Sequence, residues 1–520
     1  MHTAALDPLL IARWQFGITT VYHFWMVPLT LGLGPVVAYF QVRWYRSGDE
    51  RFYRATKFWG KLYLINFIMG VATGIVQEFQ FGLAWSQYSR FVGDIFGAPL
   101  AMEALLAFFL ESTFLGLWIF GWGRLGPKAH TVVLCMAIGG SVLSAYFIIV
   151  ANSWMQHPVG VKLVDGHPVM YDVWAVLGNN TAVWAFTHTV FGSLMVGGMF
   201  LLGISWYQLW QRRKDGIDTV GADGRAVPGE NAEIPGRDVR DHALWLHSLR
   251  VGAWVAIVAF ALVFVTGDQQ GKLMFQQQPM KMAAAEAACD TTTDFSVLSY
   301  GAWNAESCHT VRDVIEVPGV LSFLANSNFT TPVKGINELI PEYEKKYGTT
   351  ASDGSKINYV PLMPVTYWGF RVMITLGGIA AFAALVALWL TRKGTVPRSR
   401  PLMLLAVVGI LAPFAANTAG WVFTEMGRQP FVVAPNPTGV DGVYLFTQAA
   451  VSPNVTAGEL LFSLISLGCV YLGLMVVEVA LLIKYTRGGV ASAIPELGKK
   501  PDDTDASGGR SPDDVLAFAY

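Results

Sequence analysis

The sequence predicts an all-α fold, a polytopic transmembrane helical bundle of about nine helices with its N-terminus outside and its C-terminus in the cytoplasm. Hydrophobic residues make up 53% of the 520 residues and charged residues only 14%, a balance typical of bilayer proteins. Long apolar segments recur along the chain, and basic residues are concentrated in every second short connection. The net charge of −1 does not indicate nucleic-acid binding.

Nine segments are apolar for about 20 residues or more, the length that crosses the hydrocarbon core of a bilayer. They are predicted over 15–42, 57–84, 97–122, 130–153, 182–210, 244–266, 366–391, 402–424 and 459–484.

Short connections decide the orientation, because cytoplasmic loops carry more Lys and Arg than outer loops. The connection between the first two spans holds Arg43, Arg46, Arg51, Arg54 and Lys57. The connections after the third, fifth, seventh and ninth spans are also basic, whereas the alternate short connections carry one basic residue each. A single threading places all basic connections in the cytoplasm, which puts the N-terminus outside.

Hydrophilic segments divide the chain into four parts. These are 1–266 with six spans and a cytoplasmic connector near 211–242, an outer loop over 267–365, three further spans over 366–485, and a disordered cytoplasmic tail over 486–520. A loop as long as the outer one is more often functional than passive.

The outer loop contains two cysteines, Cys289 and Cys308. An outer compartment permits disulfides, so we expect these residues to be bonded to each other. Two free thiols are the alternative.

Ionisable side chains inside a span are costly in lipid and are therefore functional candidates. Two histidines, His23 and His188, lie in the outer parts of the first and fifth spans. Each is either a ligand or a hydrogen-bonded packing residue. Met373, near the outer end of the seventh span, is a further candidate ligand, although packing is the commoner role of methionine.

Carboxylates reach the same layer of the membrane. Glu103 and Glu111 lie in the third span, about 80° apart around an ideal helix and about 12 Å apart along it. Glu78 and Glu425 lie near the outer ends of the second and eighth spans. A solitary carboxyl can be neutral and hydrogen-bonded, but several at different depths suit a proton path.

Six motifs occur in order along the chain, and all but one of them contain at least one of these residues. They are Tyr22-His23-Phe24 followed by Val27-Pro28-Leu29-Thr30, Glu78-Phe79-Gln80-Phe81-Gly82, Glu103 through Phe108-Phe109-Leu110-Glu111-Ser112-Thr113-Phe114, Gly267-Asp268, Phe370-Arg371-Val372-Met373 and Gly420-Trp421-Val422-Phe423-Thr424-Glu425-Met426-Gly427-Arg428-Gln429-Pro430. With these motifs the chain resembles subunit I of the cytochrome bd-type quinol oxidases, in their short quinol-loop form. The resemblance runs from about residue 8 to about residue 485.

The resemblance implies three cofactors: a low-spin haem b, a high-spin haem b and a haem d. His188 and Met373 would hold the low-spin haem b. His23 and Glu425 would be axial ligands of the other two haems, and the sequence leaves open which residue serves which.

The resemblance also implies roles for residues around the haems. Glu103 is a further ligand or a proton donor at haem d, Glu111 is its neighbour on the proton route, and Glu78 belongs to the same cluster. The remaining positions are the propionate partners Arg371 and Arg428 and the inter-haem Trp421.

The outer loop corresponds to the quinol-binding loop of the family. Lys281 and Glu286 match a pair implicated there in quinol oxidation, with Asp268 at the start of the loop; the residues alone would equally suit solvated loop charges. Two positions depart from the pattern: Phe431 replaces a tryptophan, and Gln269 replaces an acidic residue.

The predicted function is that of the haem-bearing catalytic subunit of a terminal respiratory oxidase in the bacterial plasma membrane. It would oxidise menaquinol or ubiquinol and reduce dioxygen to water, generating proton motive force without pumping. The resemblance implies a second membrane subunit, subunit II, and small single-helix accessory peptides. The alternatives are a transmembrane haem b cytochrome that only transfers electrons, and a haem-free proton-coupled transporter that uses Glu78, Glu103 and Glu111.

Overall fold

A computed structural model of the chain describes residues 7–214, 219–220, 226–227, 241–300, 308, 311–351, 354–437 and 439–494. Within these ranges the protein is a bundle of long helices, and nine helical spans are long and apolar enough to cross a membrane. The predicted all-α fold class and number of spans are therefore confirmed.

The elements of the first six spans and their connections come first in chain order. They are α1 (Pro8–Ser47), α2 (Glu50–Leu83), α3 (Ser86–Met102), a π-helical segment (Glu103–Phe108), α4 (Phe109–Phe120), α5 (Pro127–Gln156), β1 (Val161–Val164), β2 (His167–Met170), α6 (Val173–Leu177), α7 (Asn180–Lys214), β3 (Thr219–Val220), β4 (Ala226–Val227) and α8 (Asp241–Gln277).

A large loop, residues 278–362, separates α8 from the last three spans. It contains α9 (Pro279–Glu286), β5 (Phe295–Tyr300), β6 (Arg312–Val317), α10 (Val320–Asn326) and α11 (Ile336–Tyr347). The elements that follow are α12 (Met363–Leu390), α13 (Arg400–Val408), α14 (Leu411–Gly427), β7 (Phe431–Val433), β8 (Leu445–Phe446), α15 (Thr447–Ala450), α16 (Ala457–Gly488) and α17 (Val490–Ala493). The strands form four antiparallel pairs of consecutive strands, all in connections.

Helix caps explain the tight turn between the first two spans. Asp7 accepts a hydrogen bond from the Leu9 backbone N–H at 2.9 Å and starts α1. Gly48 ends α1 with a φ of +66°, and Asp49 starts α2 by accepting from the Arg51 N–H at 2.8 Å. A left-handed glycine followed by an acidic N-cap is a strong stop-and-start signal.

Helix α7 is in backbone contact with two other helices, through glycines. A Cβ atom on Gly197 would lie 2.4 Å from the backbone carbonyl carbon of Gly32 in α1, and one on Gly252 of α8 would lie 2.5 Å from the Gly198 carbonyl oxygen. Only glycine allows such an approach, which small residues commonly provide in membrane bundles. These contacts fix the helices that carry His23 and His188 relative to each other.

Helix α8 extends beyond the sixth predicted span. It continues to Gln277, so residues 267–277 of the predicted outer loop, including Asp268, are helical. An apolar window stops where polar residues begin, whereas helical hydrogen bonding continues as long as the polar end packs on protein.

Regular helical structure continues past residue 486, where the predicted disordered tail begins. Helix α16 continues to Gly488, and Val490, Ala493 and Ile494 are buried in the main apolar core of the bundle. Residues 495–520 of the predicted tail, and most of the predicted connector over 211–242, lie outside the described residues.

The large loop has a small apolar core of its own. Met280, Ile336, Leu339 and Tyr359 are among its buried members, and they pack with Tyr367 of α12. A disulfide joins Cys289 to Cys308, with their Cα atoms 5.5 Å apart. The loop is thus a folded unit held against the ends of the last spans.

Candidate functional site

His23 and His188 are held in the same way by threonines on neighbouring helices. His23 Nδ1 lies 3.0 Å from Thr73 Oγ1, and His188 Nδ1 lies 3.2 Å from Thr266 Oγ1. Each threonine hydroxyl donates to a carbonyl one turn earlier in its own helix, at 2.9 Å. The oxygen therefore accepts from an Nδ1–H, which leaves the lone pair of Nε2 available to a metal ion.

A glycine follows each of these threonines and makes room for the imidazole ring. A Cβ atom on Gly74 would lie 3.0 Å from His23 Cε1, and one on Gly267 would lie 3.1 Å from His188 Cε1. The dipeptide Thr-Gly within a long helix is thus a local signal that occurs twice, at Thr73-Gly74 and Thr266-Gly267. Pairing each with the right histidine requires the structure.

Met373 fits into a notch on α14. A Cβ atom on Gly420 would lie only 2.6 Å from the Met373 sulfur, so a larger residue at this position would displace it. Helix α8, whose Thr266 contacts His188, packs against both α7 and α12. The joint ligation of one iron by His188 and Met373 stays a prediction.

Glu425 is the centre of a buried polar cluster at the end of α14. Its two carboxylate oxygens accept from Asn152 Nδ2 at 2.9 Å and from an Nη2–H of Arg428. The Nε and Nη1 atoms of Arg428 are buried without a hydrogen-bond partner in the described part of the chain. Unsatisfied buried donors are rare, so this guanidinium can donate to a second anionic group through these two nitrogens.

Lys281 extends from α9 of the large loop into this cluster. Its side chain is 2% exposed, and Nζ lies 3.3 Å from Gln156 Oε1 and 5.4 Å from the centre of the Phe423 ring. A Cβ atom on Gly427 would lie 2.8 Å from Lys281 Cγ, so this glycine admits the side chain. Burial lowers the pKa of Lys281 to about 7; the charge of Arg428 lowers it further and that of Glu425 opposes the shift.

Glu286 lies five residues further along α9, about 140° around the helix from Lys281, and contacts a different span. It is 3% exposed and accepts from Arg371 Nη2 at 3.1 Å. Burial raises the pKa of Glu286 to about 7, against the charge and hydrogen bond of Arg371. Lys281 and Glu286 are therefore two separate contacts between the large loop and the spans.

Arg371 binds the large loop through all three of its nitrogens. Besides Glu286, it donates to the carbonyl oxygens of Ala285 at 2.7 Å, Ser296 at 2.6 Å and Val297 at 3.4 Å. The resemblance implies that Arg371 binds a haem propionate, whereas in the structure its donors are used to attach α9 and β5 to α12.

Asp268 lies in α8, directly after the glycine that faces His188. Among the described residues, it accepts from Lys272 Nζ at 2.7 Å and from Gln269 Nε2 at 3.0 Å. The structure thus places Asp268 on the His188 side of the protein and pairs it with neighbours in its own helix.

Glu103 and Glu111 both face α5. Ser144 Oγ donates to Glu103 at 2.8 Å, and Ser141 Oγ donates to Glu111. These serines are three residues apart and share one helix face. The helix is π-helical from Glu103 to Phe108, and its wider turn reduces the 80° offset of an ideal helix.

Glu78 belongs to this carboxylate group but is more exposed. Glu103 interacts electrostatically with both Glu78 and Glu111. Glu103 Oε2 is buried without a hydrogen-bond partner in the described residues. Glu103 thus interacts with both of the other carboxyl groups, and a proton path through the three stays a prediction.

Trp421 and Phe24 connect α14 to α1. Their rings stack with centroids 5.3 Å apart and an interplanar angle of 20°. Phe24 directly follows His23, so Trp421 lies between the helix of His23 and the cluster of Glu425. Phe431, the departure from the family pattern, is buried and stacks on Phe446 at 4.8 Å.

One titratable residue of the ninth span, Glu478, is absent from the candidates taken from the sequence. It is buried in the second half of α16. The rule that intramembrane carboxylates are functional candidates applies to it as to Glu103.

The chain is similar to known proteins over most of its length. The sequence profile described as "Cytochrome bd terminal oxidase subunit I" matches residues 11–490. The chain is 39% identical over 484 residues to "Cytochrome bd ubiquinol oxidase subunit 1" of Bacillus subtilis (strain 168), which covers 93% of this chain and 94% of that protein. It is 32% identical over 535 residues to "Cytochrome bd-II ubiquinol oxidase subunit 1" of Escherichia coli (strain K12), with coverages of 93% and 97%.

The fold also matches a solved structure. The bd oxidase from Geobacillus thermodenitrificans superposes with a TM-score of 0.76 at 24% identity, covering 93% of this chain and 99% of that one. The family inferred from the six motifs is therefore confirmed, and with it a place in the bacterial cell membrane. The chain belongs to the cytochrome bd terminal oxidase subunit I family.

Proposed function

We propose that this catalytic subunit oxidises a membrane quinol beside its large loop and reduces dioxygen to water in its interior, without pumping protons. The observation that carries the proposal is the insertion of Lys281, a loop residue, between Gln156 and the Glu425–Arg428 cluster. It brings a residue of the proposed quinol side within electrostatic range of a proposed iron ligand. In this proposal the N-terminus and the large loop lie outside, and residues 211–242 and 486–520 lie in the cytoplasm.

Family membership implies haem cofactors, and the residues present fit them. The Nε2 lone pairs of His23 and His188, the Met373 sulfur and the Glu425 carboxylate are suitable axial ligands. We assign His188 and Met373 to a low-spin haem b, and His23 and Glu425 to a high-spin haem b and a haem d. Bound haem would supply the one-electron chemistry and the dioxygen-binding iron.

Three buried donors surround Glu425 and suit a propionate. Arg428 has two nitrogens and Gln156 has one, Nε2, that lack a partner among the described residues, and Lys281 Nζ lies beside them. A guanidinium binds a carboxylate in a planar, bidentate way. We therefore propose Arg428, Gln156 and Lys281 as the propionate-binding group, and a positioning role for Arg371 in holding the loop.

Proton chemistry is separated to the two sides of the bundle. We propose that Glu286 accepts a quinol proton at the large loop and that Asp268 contributes to this face. Glu111 and Glu103 would deliver cytoplasmic protons to the dioxygen site, each oriented by a serine of α5. Glu78 would complete this series, and Trp421 would lie between haems.

Partners follow from membership of an oxidase complex. We propose subunit II as a second membrane subunit, with single-helix accessory peptides and menaquinol or ubiquinol as the electron donor. The apolar side chains Leu105 and Phe109, which flank Glu103, are 79% and 69% exposed, so this face would contact either lipid or such a subunit.

An optical spectrum of the purified complex, reduced minus oxidised, with haem extraction and typing, tests the function. We expect b-type bands together with a red-shifted chlorin band, and quinol-dependent oxygen uptake. Haem b without oxygen uptake would identify an electron-transfer cytochrome instead. A complex without haem would favour the proton-coupled transporter.

The pH dependence of quinol oxidation tests Glu286. Its carboxyl group, with a pKa raised to about 7, is protonated below that pH and then cannot accept a proton. We therefore expect the quinol oxidation rate to rise through about pH 7 and to reach a plateau above it. Steady-state rates from pH 5.5 to 8.5 measure this.

Glu286→Gln should lower the plateau of the quinol oxidation rate and remove the acid limb, which is the decrease in this rate below about pH 7. Glu342→Gln is the matched control, since Glu342 is an exposed loop carboxylate paired with Lys334 and should behave like the parent protein. An unchanged acid limb in Glu286→Gln would exclude Glu286 as the acceptor.

A further inference from the structure

Helix α16 buries mainly titratable side chains. Its four buried residues are Leu460, Tyr471, Glu478 and Tyr485, and only 11% of its most apolar stretch is buried. Tyr471, Glu478 and Tyr485 are seven residues apart, so they lie on one face at intervals of about 10 Å. Burying a carboxyl group in this way is costly, which indicates a function for the face.

Glu478 lies at the interface that α16 forms with α1 and α2. Its residue exposure is 4%. It interacts electrostatically with Tyr22 of α1, whose hydroxyl oxygen is buried without a hydrogen-bond partner in the described residues. A hydroxyl within electrostatic range of a carboxyl group, with capacity left for a further bond, is a suitable contact for a bound water.

A series of polar groups leads from Tyr22 to the ring of His23. The Tyr22 and Tyr471 rings lie 5.0 Å apart, and the Tyr471 hydroxyl donates to the Thr73 carbonyl oxygen at 3.1 Å. Thr73 is the residue whose side chain holds His23 Nδ1. The titratable face of α16 therefore reaches the support of a proposed iron ligand.

The same interface contains further unsatisfied polar atoms. Gln15 donates to Ser463 at 2.7 Å and Gln80 donates to Thr19 at 2.7 Å. The Oε1 atoms of both glutamines are buried without a partner in the described part of the chain, in residues that are 2% exposed. Buried acceptors of this kind bind internal water. None of these four side chains titrates near neutral pH, whereas Glu478 brings a titratable carboxyl group to the same interface.

The C-terminal end of the α16 face formed by Tyr471, Glu478 and Tyr485 lies toward the side proposed as cytoplasmic. Glu478 is ten residues, about 15 Å, from the end of α16 at Gly488. Tyr485 lies between them, and the Lys61 ammonium group is 5.0 Å from the centre of its ring. Protons can therefore approach Glu478 from this end through polar side chains.

We infer that Glu478 is a proton-holding residue of a second, hydrated path, which runs along α16 toward His23 and is separate from the Glu111–Glu103 series facing α5. This rests on the proposed function, in which dioxygen, four electrons from quinol and four protons give two waters. The Glu478 carboxylate takes up one proton from water on the cytoplasmic side and releases it to water beside Tyr22. No other bond changes.

Glu478→Gln tests the path in the whole oxidase complex. We expect unchanged haem content and an unchanged rate of haem reduction by quinol, with oxygen consumption reduced about tenfold or more. The redox-difference infrared spectrum should lose a protonated-carboxyl band. Glu478→Asp should shift this band and restore part of the turnover.

Glu459→Gln is the matched control in the same helix. Glu459 is exposed and belongs to the capping box with Thr456, a position that accepts glutamine. Full turnover together with an unchanged carboxyl spectrum in Glu478→Gln would overturn the inference. If the Glu478→Gln complex loses haem, the protonated-carboxyl band of the Glu478→Asp complex decides the question. An unshifted band would exclude Glu478 as the proton-holding residue. A parent complex without quinol-dependent oxygen uptake would instead refute the proposed function.

Discussion

Replacing His188 with alanine is expected to abolish the low-spin haem spectrum of the complex and its reduction by quinol. The Nε2 atom of His188 is the proposed ligand, and the Thr266 hydroxyl fixes its tautomer through Nδ1 at 3.2 Å. Loss of an outer-shell partner alone typically costs 10- to 100-fold in metal affinity or activity, so loss of the ligand itself should cost more than about 100-fold in quinol-driven turnover.

Difference spectroscopy and haem extraction measure this prediction. Haem bound by His23 and Glu425 should remain, because those residues lie on other helices. Thr266→Val should show the smaller, outer-shell effect. His167→Ala changes an exposed histidine of the β1–β2 hairpin and should leave the spectrum intact. A complete low-spin spectrum in His188→Ala would show that another residue is the ligand.

Replacing Glu111 with glutamine is the second large effect that we expect. The carboxyl group is buried and accepts from Ser141, one turn along α5 from the serine that binds Glu103. Glutamine preserves the volume and the hydrogen bond but cannot carry a proton. General acid–base groups contribute about 10²- to 10⁴-fold, so oxygen consumption should fall by this range while quinol still reduces the haems.

Stopped-flow spectroscopy separates the two steps, because it follows haem reduction and reoxidation independently. Ser141→Ala should have a weaker effect, since it removes the orienting bond and leaves the carboxyl group. Cys135→Ala, an exposed position on the same helix, is the control. Normal reoxidation in Glu111→Gln would contradict its place on the proton route.

The sequence determined the number of spans and the family. The spans follow from local sequence, since a segment in lipid must satisfy its own backbone hydrogen bonds and is therefore helical wherever about 20 apolar residues follow one another. The family follows from short motifs, which are also local. The candidate iron ligands His23, Met373 and Glu425 were also predictable, as ionisable or soft residues in spans within specific motifs. Glu478 met the same rule but belonged to none of the six motifs.

The tertiary structure decided which of these residues meet. Thr73 and Thr266 become partners of histidines 50 and 78 residues away. The π-helical segment packs against α5, whose serines donate to Glu103 and Glu111. Lys281 and Glu286 are five residues apart in sequence, but they contact different spans because they lie on different faces of α9. The surroundings of each group depend on contacts between distant segments, which hydropathy and motifs do not encode.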